Sequence, residues 1–159
     1  MKLLVTKDVS LQEFRQVKLN LVEKGEISML ADLNELNVLA IIIGGFLYMV
    51  YGGVYYSVRL GGDQHPDKKH NEIEGPMKYI FSGIVAFISS FIIAILVEAT
   101  GADGFGPGML VGFIVGFIIT LVYVKNRLFG LMTNQSLMIA IGDHLVIFIL
   151  LGALHGFMS

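Results

Sequence analysis

Four long apolar runs leave few folds open to this chain. They extend from Asn37 to Val58, from Tyr79 to Val97, from Pro107 to Val124 and from Leu137 to Phe157. Each is close to the ~20 residues that a bilayer crossing needs. Each is apolar on every face, unlike a helix that turns one side to water. Hydrocarbon offers the backbone no hydrogen-bonding partner, so a lone spanning run satisfies itself by coiling into a helix. The runs therefore predict an all-α fold, a polytopic transmembrane four-helix bundle over residues 37–159. Only 15% of the residues are charged, against about a quarter in a soluble domain.

Short links at 98–106 and 125–136 make the second, third and fourth runs successively antiparallel. Residues 59–78 form a polar loop punctuated by Gly61, Gly62, Pro66, Gly75 and Pro76, so no long element is expected there. Residues 1–36 differ from the rest and are expected to form an amphipathic extramembrane segment. Ser10 and Glu13 have the spacing of a capping box. In a helix from Leu11 to Glu23, Leu11, Phe14, Val17 and Leu21 would share one stripe. That stripe would rest on the membrane surface, on the bundle or on a partner. The opening residues hold too short an apolar stretch for a secretory signal, so the spans themselves are expected to direct insertion.

A net charge of -2 argues against a nucleic-acid partner. The chain has no Cys, which removes disulfides, thiolate metal sites and Cys nucleophiles. No Ser-His-Asp set, HExxH, phosphate loop or GxGxxG fingerprint occurs. No catalytic residue, metal or cofactor is therefore expected, and the chain does not read as an enzyme.

Arg59, Lys68, Lys69 and Lys78 flank the first loop, and Lys125 and Arg127 flank the third. By the positive-inside rule, loops 59–78 and 125–136 are expected in the cytoplasm, with both termini outside the cell membrane. Five Lys and Arg in the N-terminal segment pull the other way, although they lie a dozen residues or more from the first span.

Gly104, Gly108, Gly112 and Gly116 recur every four residues along the third run. Ser82, Ala86, Ser90 and Ala94 do the same along the second. Small residues let helices approach closely in lipid. This glycine zipper and its companion ridge are expected to form the contact between spans two and three. An oligomer interface or a Gly-lined pore is the alternative.

Asp143 and His144 lie inside the fourth run, where a charged group costs roughly 3 kcal/mol or more. Helix rise puts Asp143 ~10 Å inside that run, level with Tyr51 to Gly53 of the first. A polar intramembrane cluster of Asp143, His144, Tyr51, Tyr55 and Tyr56 is expected. In it a Tyr51 or Tyr55 hydroxyl would meet Asp143, and Gly52 and Gly53 would let the backbones close in. Glu98 and His155 fall at a similar level near the other face and are expected to pair. His144 and His155 stand ~16 Å apart along the helix, too far to share a metal ion.

Two stretches carry a resemblance. Gly53-Val-Tyr55-Tyr56-Ser57-Val-Arg-Leu-Gly61 is similar to the Gly-x-x-aromatic-Tyr-Ser segment of a prokaryotic family of small four-span membrane proteins described only as a domain of unknown function. Tyr55 stands where that family usually has Trp. Ile141-Gly142-Asp143-His144-Leu-Val, continuing to Leu151-Gly152-Ala-Leu, resembles the family's last span, and the Leu-Met-Thr-Asn before it is also similar. The resemblance covers about residues 37–158. It implies the same four-span fold and marks Tyr55, Tyr56, Asp143 and His144 as notable. It implies no activity.

Two functions fit these features. One is a small non-enzymatic protein of the lipid bilayer, a homo-oligomer or an accessory subunit of a larger membrane complex, with Asp143 as a tether between spans. The other is a small transporter or channel that uses Asp143 to couple to protons or cations.

Overall fold

The computed structural model describes residues 36–60 and 76–159, together with Gln16 and Asn20. Four helices lie in the bundle: α1 (Val38–Leu60), α2 (Met77–Thr100), α3 (Phe105–Leu128) and α4 (Asn134–Met158). All four are long and apolar enough to cross a membrane, and the chain is a multi-pass membrane protein. The amphipathic helix expected over 11–23 and the loop 61–75 lie outside the described residues, apart from Gln16 and Asn20, which are helical and exposed.

Three of the helices run several residues past the ends of their apolar runs. The boundary polar residues stay helical, and the stops come from specific caps. Asn37 opens α1: its Oδ1 accepts from Ala40 N at 3.1 Å, the usual office of an N-cap amide. Its Nδ2 donates to the Met158 carbonyl at 2.9 Å, which ties the start of α1 to the end of α4. Two Schellman turns close α2 and α3. Gly101, at φ +60°, donates to Glu98 O while Ala102 donates to Val97 O. Gly130, at φ +73°, donates to Arg127 O while Leu131 donates to Asn126 O. Each left-handed position suits glycine because a Cβ there would strain the backbone. Thr133 caps α4 by accepting from Ser136 N at 3.2 Å.

Helix α4 is central and touches the other three. The buried core joins Ile93 and Val97 of α2 to Ile147, Phe148 and Leu151 of α4. The outer faces are strongly apolar: Val38, Val58, Phe81, Ile92, Phe113 and Ile118 are all exposed. That much exposed hydrocarbon suits lipid rather than water.

The glycine ridge of α3 packs on α4, not on α2 as its spacing suggested. A Cβ on Gly108 would fall on the Gly152 carbonyl, one on Gly112 on the Phe148 carbonyl, and one on Gly116 would meet Leu145. The matching notch on α4 is Gly152 and Gly156, and Gly104 N donates to the Gly156 carbonyl. Small residues permit this approach, with glycine on both helices where Gly108 meets Gly152 and on α3 alone at Gly112 and Gly116. Contact between α2 and α3 is slight by comparison. The α2 ridge serves α1 and α4 instead. Ser90 sits against Gly44 of α1 and also reaches α4. Ala86, Ser90 and Ala94 are buried, while Ser82 is exposed and bonds its own helix at Lys78 O.

Candidate functional site

The site lies on α4 where it is flanked by α1 and by α3, toward the ends joined by the 59–78 and 125–136 connections. Asp143 is 3% exposed. Tyr56 Oη donates to its Oδ2 at 2.8 Å. No described residue donates to its Oδ1, which is buried. His144 Nδ1 lies 3.6 Å from Oδ2 and 2.9 Å from Ala140 O, one turn back on the same helix. A carbonyl only accepts, so Nδ1 carries the hydrogen. In the neutral ring, Nε2 is then the acceptor, and Tyr123 Oη of α3 stands 3.3 Å from it, placed to donate. The Tyr123 and His144 rings also meet edge to face, 5.1 Å between centroids. A chain of polar groups thus runs Tyr123, His144, Asp143, Tyr56 across three helices.

Tyr51 and Tyr55 belong to this region but do not bond Asp143. Their rings stack at 5.5 Å, as expected for residues one turn apart on one face. Tyr55 Oη donates to Ile139 O at 3.0 Å, and Tyr51 Oη is 3.4 Å from Gly142 O. Depth matching found the right level but not the right rotation. Gly142 faces the Tyr51–Tyr55 stripe, and Asp143, one residue and about 100° further round its helix, faces Tyr56, one residue beyond Tyr55. The glycine that permits the approach is Gly142, where a Cβ would meet Tyr55 Oη at 2.5 Å. Gly52 and Gly53, expected to do so, have nothing within 4 Å.

Those two glycines instead border a crevice of about 610 Å³ between α1 and α2. Tyr48, Tyr56 and Ser57 line it from α1, Tyr79, Phe81 and Ser82 from α2, and Asp143 and His144 from α4. Among the described residues no three His, Cys, Asp or Glu are grouped to hold a metal ion.

The family described as "Protein of unknown function (DUF1761)" matches residues 39–156. The chain belongs to the DUF1761 family. The match takes in most of all four helices of this DUF1761 bundle and the whole Tyr56–Asp143–His144–Tyr123 chain. No curated protein and no solved structure matches it.

At the opposite end of the DUF1761 bundle, His155 is buried and pairs with Ser90 rather than with Glu98. Ser90 Oγ lies 3.0 Å from His155 Nε2 and donates to Ile41 O of α1 at 2.9 Å. With the serine hydrogen committed to that carbonyl, Nε2 must donate to Oγ. One hydroxyl therefore ties α1, α2 and α4 together. Glu98 is partly exposed, near the end of α2. Burial is what separates the two: an apolar helix contact has room for the serine but not for an ionised carboxylate. Ser90 carried a signal as a hydroxyl on a small-residue ridge. Tyr123 was missed: it lies at the very end of the third apolar run, where a tyrosine is ordinary interfacial placement.

Proposed function

We propose that this protein is a small non-enzymatic transporter or channel in which Asp143 takes up and releases a proton or a cation. One observation carries the reading: the Asp143 carboxyl is almost wholly buried in a membrane span, borders a crevice, and has a single described donor, Tyr56, for its two oxygens. A simple tether would be expected to satisfy both oxygens, because an unmet buried acceptor costs about 1–3 kcal/mol. A proton or a cation completes the carboxylate. Intramembrane carboxylates that face a cavity mark ion pathways more often than they mark packing.

A hydrolytic role for the Ser90–His155 pair is disfavoured. The serine is fully buried and its hydrogen is directed to a backbone carbonyl rather than to the imidazole. The basic residues of loops 59–78 and 125–136 favour an orientation in the cell membrane with the Asp143 end toward the cytoplasm. The subunit reading draws support from α1 and α3, whose apolar stretches are mostly exposed and leave faces for a second copy or a partner.

The test is flux through the full chain reconstituted in liposomes. Wild type is expected to dissipate an imposed pH or cation gradient. Asp143→Asn is expected to slow this at least about tenfold, in line with loss of an ion-binding carboxylate, while keeping the wild-type melting temperature. Equal flux from both proteins, or none from either, overturns the reading.

A further inference from the structure

The crevice is far larger than a proton or a metal ion requires. A volume of about 610 Å³ falls in the range of sites that hold small organic molecules, roughly 300–1,000 Å³. A bare divalent cation would seek six or more oxygens, whereas the described lining residues offer a single carboxylate and a few hydroxyls. Charge and shape point the same way. Among the described residues of the lining, Asp143 is the one acid and none is Lys or Arg. Arg59 and Lys78 lie over the rings of Tyr55 and Tyr79, outside the lining. Tyr48, Tyr56, Tyr79 and Phe81 supply aromatic surface around the carboxylate, and aromatic faces attract cations.

We propose that the crevice binds a protonated amine with an apolar body, its ammonium at Asp143 and its body among Tyr48, Tyr79 and Phe81. The hydrogen-bonding tally narrows the class further. Tyr56 is the sole described donor to a carboxylate that can accept several hydrogen bonds. An ammonium that still carries N–H can use that spare capacity, and a quaternary ammonium cannot. This inference rests on Asp143 being a cation-handling group and adds the chemistry of the cation. The ammonium could arrive on a free amine or on the primary-amine headgroup of a lipid, since the crevice lies between two lipid-facing helices.

The experiment measures binding of 2-phenylethylamine to the full chain in phosphatidylcholine nanodiscs, with three comparisons. The N,N,N-trimethyl analogue is expected to bind about tenfold more weakly, the usual loss for one charge-assisted hydrogen bond. Asp143→Asn is expected to weaken the amine by a similar factor or more, and potassium should not compete. Phosphatidylethanolamine in the nanodisc serves to identify the source. Competition by that lipid supports the site with a headgroup as its natural ligand, and no competition supports it with a free amine. Equal binding of amine and quaternary analogue, or binding that survives Asp143→Asn, overturns the proposal. If Asp143-dependent flux is present but no amine binds, the ligand class falls while the ion-handling role stands. If flux is also absent, both fall.

Discussion

Gly152→Leu is expected to part α3 from α4 and to lower bundle stability by more than about 3 kcal/mol. The reason is the backbone contact. A Cβ at 152 would fall on the Gly108 carbonyl and lie 2.8 Å from Gly112 N. Neither atom can turn aside as a side chain could, so the helices must separate along the whole glycine seam. Close packing in a lipid-embedded bundle supplies much of the attraction between helices, and separation forfeits it. Unfolding of the full chain in a bilayer or mild detergent measures the loss. Gly53→Ala is the contrast: it has nothing within 4 Å, and replacing a mid-helix glycine by alanine is expected to gain about 0.5–1 kcal/mol. Similar stabilities for the two variants would contradict the assignment of the seam.

Ser90→Ala is expected to cost about 1–2 kcal/mol, the range of a hydrogen bond between helices in lipid. The substitution removes the acceptor of His155 and the donor to Ile41 in one step. What remains is an imidazole N–H at a buried position, without its acceptor. A double-mutant cycle with His155→Leu separates the pair from the rest of the packing. Coupling of about 1 kcal/mol between the two sites is expected for directly bonded residues. Strictly additive losses would show that Ser90 and His155 act apart.

Much of the fold is legible in the sequence because hydrocarbon is a strict solvent. It demands long apolar helices, and four runs meet that demand. Helix ends were less legible, since the polar residues of α3 and α4 at the boundary stay helical until a glycine or threonine cap stops them. Partner choice was the weakest point. The repeat Gly104, Gly108, Gly112, Gly116 marks a close contact, but a ridge cannot say which neighbour it meets. The answer lay in the Gly152-x-x-x-Gly156 spacing of the fourth run, a second ridge that can receive the first. The polar site behaved in the same way. Composition singles out Asp143, and helix rise sets its depth. The rotation of each helix about its own axis decides that Tyr56 bonds the carboxylate while Tyr51 and Tyr55 rest on carbonyls, and apolar runs that are alike on all faces carry little information about rotation. Tyr123 stands one residue inside the end of the third apolar run, where a tyrosine is ordinary interfacial placement, so its pairing with His144 left no mark in the sequence.

The most direct measurement is the carbonyl stretch of the Asp143 carboxyl group by infrared difference spectroscopy on the full chain in lipid, with Asp143→Asn to assign the band. If Asp143 takes up and releases a proton or a cation, the band should appear and vanish as pH or cation concentration is changed, and the signal should be missing from the variant. A carboxyl signal that stays constant under all of these conditions would contradict an ion-handling role and leave Asp143 as a tether between α1 and α4.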